Sequence, residues 1–210
     1  MLNILTKMKT EPTKNIVLPD WNELDLWEYM LVANPDDVVK QKVKEEKQSF
    51  YNEYKTEIAI KTEPHITIVN FLAKEMMEET LCRWIQRICD NQQSFKVTLN
   101  NYSGFPSHAI YIRIQNQQPF KQLTNGLKAL EHFIKDNQCP PLQLVNKPHM
   151  TIARQLSEEV YNKAISAYAQ KTFYELFTLN KLVLLKRSSR YKKWERVTVF
   201  ILPPERNLFN

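Results

Sequence analysis

Hydrophobic positions along this chain change period repeatedly, from two residues to about 3.6 and back, which separates strands from helices before any motif is considered. Trp27 to Ala33 reads as a strand, and Asn34-Pro35-Asp36-Asp37 supplies a helix cap, a proline at the first helical position and acid in the first turn. That helix is expected to run to about Tyr54. Ile66 and Ile68 then alternate with His65 and Thr67 in a strand opened by Pro64. Met77, Leu81, Trp84, Ile85 and Ile88 share a helical face, and Phe95, Val97 and Leu99 alternate as a strand. A turn is predicted over Asn100 to Pro106.

The same order then returns. Ile110, Ile112 and Ile114 alternate as a strand, and Pro119 opens a helix with Phe120, Leu123, Leu127, Leu130 and Ile134 facing inward. Met150 and Ile152 alternate with His149 and Thr151 after Pro148. Ser157 can cap a helix with Val160, Ala164, Ile165 and Tyr168 on one side, followed by a strand near Phe177 to Lys186 and a last one over Val197 to Leu202. The two histidine strands are offset by 149 − 65 = 84 positions, and the other elements follow at about that spacing. A unit used twice implies two lobes related by an approximate two-fold axis.

Strands with one polar face are the habit of antiparallel sheets. The pattern therefore predicts an α+β fold with two pseudo-symmetric lobes, each an antiparallel sheet with flanking helices, and a cleft between them. A single bilobal domain is expected over 27–204, with repeats at about 27–101 and 108–186 and a final strand at 197–202. Residues 1–26 read as a poorly ordered arm and 205–210 as a tail.

Composition narrows the function. At 210 residues the chain can bury a sizeable core, no apolar run reaches membrane-span length, and the N-terminus lacks the apolar core of a secretory signal. A cytoplasmic monomer with no membrane association is the expectation. Cys82, Cys89 and Cys139 are an odd number without a Cys-x-x-Cys pair, which suits reduced structural thiols. The net charge of +6 favours polyanionic partners. Only two glycines, Gly104 and Gly126, leave no material for a dinucleotide fingerprint or a P-loop, so side chains must do much of any phosphate binding. His108 and His132 have no matching partners and read as structural or surface groups, and four scattered histidines lack zinc-ligand spacing. Neither a metal nor a cofactor is expected.

Pro64-His65-Ile66-Thr67-Ile68 and Pro148-His149-Met150-Thr151-Ile152 place an imidazole and a hydroxyl together on one face of each strand. Two such pairs along one cleft suit a cyclic phosphodiester. In-line attack at phosphorus needs a proton removed on one side and donated on the other, and histidine does both near neutral pH. Threonine hydroxyls can donate to the non-bridging oxygens.

These residues resemble the 2H phosphoesterases, and among them the bacterial 2′-5′ RNA ligase-like proteins. The resemblance rests on the paired His-x-Thr-x motifs, with Phe71-Leu72 after the first and Ala153-Arg154 after the second, and runs loosely from Trp27 to Leu202. It departs from the family at Ala73, where glycine is common, and in a glycine turn reduced to Ser103-Gly104-Phe105-Pro106. The resemblance implies a bilobal α+β fold and metal-independent hydrolysis of 2′,3′-cyclic phosphate ends of RNA or small nucleotides, with reverse formation of 2′-5′ bonds. It further implies His65 and His149 as the catalytic pair and Thr67 and Thr151 as phosphate ligands. Residues 186 to 196 interleave six basic side chains with Tyr191 and Trp194. From that run Tyr191 and Lys193, together with Arg154 beyond the second motif, are candidate contacts for RNA termini or cyclic nucleotides. The alternative is a binding module that captures RNA ends in the same cleft without turning them over.

Overall fold

The computed structural model describes residues 25–205. Most of the predicted arm, residues 1–24, and most of the tail, residues 206–210, lie outside the described residues. Among the described residues nine strands make one sheet, with neighbouring strands paired antiparallel. They are β1 (Leu26–Ala33), β2 (Ile66–Lys74), β3 (Phe95–Phe105), β4 (Ala109–Ile114), β5 (Gln143–Leu144), β6 (His149–Arg154), β7 (Tyr174–Leu179), β8 (Lys181–Arg187) and β9 (Glu195–Ile201). The helices are α1 (Asp37–Tyr54), α2 (Glu78–Asp90), α3 (Gln118–Leu127), α4 (Leu130–Asp136) and α5 (Glu158–Tyr168).

The strand order is β7-β3-β4-β6-β2-β1-β8-β9, with β5 paired to β2 off that path. It interleaves the sequence repeats. β3 ends the first repeat but pairs with β4, and β8 ends the second but pairs with β1. The helices cross too, since α1 packs on β6 and β7 while α3 packs on β2 and α2. The expectation that residues 27–101 and 108–186 each make a lobe is thus corrected. One lobe is β2, β1, β8 and β9 under α2 and α3; the other is β6, β4, β3 and β7 under α1 and α5.

The predicted strand over 177–186 is in fact two, divided at Asn180 and belonging to different lobes. A single residue spans only about 3.8 Å, so the two ends of the strand path must curve toward each other. Bonds from Leu202 N to Asn180 O and from Ser94 N to Pro203 O hold that closure.

Other boundaries shift for local reasons. Asp36, not Asn34, caps α1, accepting from Val39 N at 2.9 Å. The predicted turn at Asn100 is a bulge within β3, where Asn101 takes φ 54° and exchanges bonds with Phe173. The strand then continues to Phe105, and it can do so because Gly104 leaves room for Tyr161, whose Oη lies 2.7 Å from where a Cβ would stand. The long helix predicted from Pro119 breaks into α3 and α4 over Lys128 and Ala129, which tighten into 3₁₀-type bonds to Asn125 and Gly126. Ser157 caps α5 as expected, accepting from Val160 N. All three cysteines are free.

Candidate active site

β2 and β6 are the central pair of the strand order, joined at Ile66 opposite Met150. Beyond that rung β2 turns to β5 through Val69 and Asn70, so the two central strands part. Antiparallel order sets His65 on the Thr151 side of the rung and Thr67 on the His149 side. The structure therefore brings both His-Thr pairs to neighbouring strands, all four side chains half-buried.

Each motif strand carries a bulge directly after its threonine. Val32 faces Thr67 and Leu31 faces Val69, so Ile68 is the extra residue; Tyr111 faces Thr151 and Ile110 faces Ala153, so Ile152 is. Such bulges bend a strand and re-aim its side chains. Here they let Ile66, Ile68 and Val69, like Met150, Ile152 and Ala153, all reach the core while the histidine and threonine face away from it.

The histidines are held alike. His65 Nδ1 lies 2.8 Å from the carbonyl of Glu63, and His149 Nδ1 lies 2.8 Å from the carbonyl of Lys147. A carbonyl only accepts, so each Nδ1 carries the proton and each Nε2 is left for other work. Burial lowers the pKa of both rings; at His65 the Lys47, Arg154 and His149 charges add to this, and at His149 those of Lys147 and His108 do.

The surroundings of the two motifs differ. Thr67 Oγ1 contacts Met30 Sδ at 3.9 Å, beside a small apolar cluster of Met30, Val32 and Val183. His149 lies against Tyr111 and Phe105, with ring centroids at 4.8 and 5.0 Å. Lys147 Nζ sits over both aromatic rings. Tyr111 Oη is buried without a hydrogen-bond partner among the described residues. Tyr111 and Phe105 belong to neither motif, although alternation with Ile110 and Ile112 places Tyr111 on the Thr151 face.

Of the remaining candidates, Arg154 stands exposed at the end of β6, and its charge helps to lower the pKa of both Lys47 and His65. Tyr191 is 98% exposed and Lys193 is exposed, both in the β8–β9 connection. Among the described residues neither makes a side-chain hydrogen bond or ion pair. Two of the six basic residues in that stretch serve the fold instead. Lys186 joins Glu75 and Glu78 under Trp27, and Arg187 joins Glu28 beside Trp194. His132 is a surface group paired with Asp136. No group of three or more His, Cys, Asp or Glu among the described residues is arranged to hold a metal ion, and no described helix is long and apolar enough to cross a membrane.

Comparison with solved structures agrees with this architecture. E.coli LigT complexed with 3′-AMP superposes with a TM-score of 0.60 at 16% identity, over 84% of this chain and 98% of that one. TT0787 of Thermus thermophilus gives 0.60 at 16% identity over 85% and 100%. The MHV ns2 PDE domain gives 0.52 at 15% identity over 76% and 99%. These likenesses establish the two-lobed α+β fold. No curated protein sequence matches the chain. The family model described as the 2′-5′ RNA ligase superfamily matches residues 35–190, which span both His-Thr motifs and every strand but β1 and β9, and the chain belongs to that superfamily.

Proposed function

We propose that the protein is a metal-independent phosphodiesterase acting on 2′,3′-cyclic phosphate ends of RNA or small nucleotides, with His65 and His149 as its acid-base pair. The observation that carries this reading is the matched setting of the two imidazoles, each with Nδ1 committed to a carbonyl and Nε2 free, on strands that meet at one rung. In hydrolysis a water oxygen bonds to phosphorus while one ribose oxygen departs. One Nε2 takes the water proton and the other gives a proton to the leaving oxygen, so the product is a phosphomonoester and the enzyme's proton count is restored by exchange with solvent. Thr67 and Thr151 donate to the non-bridging oxygens. Arg154 neutralises phosphate from the cleft mouth, and Tyr191 and Lys193 meet RNA further out. With the 5′-hydroxyl of a second RNA in place of water, the same displacement bonds that 5′-oxygen to phosphorus, releases the 3′-oxygen as a hydroxyl and forms a 2′-5′ bond. The similar LigT structure complexed with 3′-AMP supports a nucleotide as the class of ligand.

A second reading, capture of RNA ends without turnover, is favoured by one observation. Burial and neighbouring cations hold both imidazoles toward the neutral form, which leaves the free protein short of a general acid. In the first reading the bound phosphate anion raises one of the two and supplies that acid. Incubation with a 2′,3′-cyclic nucleotide in EDTA separates the readings: a single phosphomonoester product supports the enzyme, whereas tight binding with no product supports the binding module.

A further inference from the structure

Three lysines stand on one face of α1 at helical spacing, Lys40, Lys44 and Lys47, and all serve the motifs. Lys40 and Lys44 clasp the carboxylate of Glu63 at 2.8 and 2.9 Å, and it is the carbonyl of Glu63 that receives His65 Nδ1–H. Lys47 is different in kind. It is only 3% exposed, and its ammonium reaches Thr62 Oγ1 at 3.2 Å and the carbonyls of Thr151 and Ile152 at 3.3 Å each. Three donors meet three acceptors. Among the described residues no carboxylate touches it, so the charge is hydrogen-bonded but not neutralised by them.

The two motifs provide their own control. At the first, the carbonyl of the bulged Ile68 is taken by a backbone amide, that of Val145, at 3.0 Å. At the second, the carbonyl of the bulged Ile152 is taken by an ammonium. A neutral donor therefore suffices to satisfy such a bulge, and burying an uncompensated charge for that purpose is costly. The charge calls for a second role.

We infer that Lys47 is a positioning residue that ties the second motif to the segment leading into His65 and holds a buried positive charge behind the cleft, available to a phosphate-like anion bound between the motifs. The inference rests on the reading of the cleft as an anion site, though not on turnover. Burial, and then the Arg154 charge, lower the Lys47 pKa to about 8, with Glu63 opposing. The charge is present at neutral pH and lost above it. Of the groups around it, Glu63 is held ionised by Lys40 and Lys44, and His65 and His149 titrate on the acid side.

The test uses sulfate, a tetrahedral anion whose charge is constant from pH 6 to 10, with histidine Cε1 resonances as reporters. Wild-type protein should bind sulfate about tenfold more weakly at pH 9.5 than at pH 7, consistent with losing one nearby charge. In Lys47→Met binding should be weak at both, and the His65 titration should move to higher pH while that of His149 moves less. Lys47→Arg should keep more of the affinity than Lys47→Met. Equal sulfate affinity and an unmoved His65 titration in a folded Lys47→Met protein would overturn the inference. Should that variant not fold, constant wild-type affinity between pH 7 and 9.5 does so alone. Success here without hydrolysis of any cyclic phosphate removes the phosphodiesterase and keeps Lys47; hydrolysis with indifference to Lys47 does the reverse.

Discussion

Ile66 and Met150 face each other across the rung that joins the two motif strands, and both are fully buried. Each is also the residue between a histidine and a threonine, so this contact sets the distance between the two reactive faces. Truncation of either should act on stability and on the site together. Met150→Ala and Ile66→Ala should each cost about 2–5 kcal/mol in urea unfolding, because a cavity opens where nothing can relax into it. At temperatures where the variants stay folded, their turnover should also fall. Wild-type turnover in a destabilised variant would show that the rung does not set the site.

The half-buried imidazoles give acid sensitivity with a definite sign. Both have folded-state pKa values below the unfolded value, chiefly through burial. Between the two values the unfolded chain binds more protons, so stability is fully present above about pH 6.5 and is lost as pH falls through the folded values. Urea midpoints from pH 8 to pH 5 should fall, and a His65→Asn, His149→Asn double variant should flatten that slope.

The basic stretch divides into two classes. Lys186→Met removes the ion pairs to Glu75 and Glu78 and the contact with Trp27, and should cost about 1 kcal/mol of stability. Lys193→Ala, at an exposed position, should leave stability within about 0.5 kcal/mol and reduce the salt dependence of RNA binding by about one unit of slope. An unchanged slope would take Lys193 out of the proposed interface.

The elements and the paired motifs were legible in the sequence because each rests on local pattern: Pro64 and Pro148 before alternating strands, Ser157 before its helix. Partner choice was not. Alternation says which face of β3 or β8 is apolar but not that each joins the other repeat's first strand, and the closely spaced apolar residues Phe177, Leu179, Leu182, Val183 and Leu184 on either side of Asn180 conceal the break there. The bulges did leave a trace, in the adjacent apolar pairs Ile68-Val69 and Ile152-Ala153 where strict alternation fails. Lys47 left none. A lysine in a helix with Lys40, Lys42 and Lys44 reads as part of a solvated face, and only the packing of α1 on β6 turns it inward.

Hydrolysis of a 2′,3′-cyclic nucleotide in EDTA by wild type, His65→Ala, His149→Ala and the double variant tests the acid-base pair most directly. Each single substitution should lower kcat by about 10²–10⁴-fold with the fold intact, and the double should fall little further, since acid and base act as a unit. A wild-type rate in either single variant, or no hydrolysis by the wild type, would contradict the account.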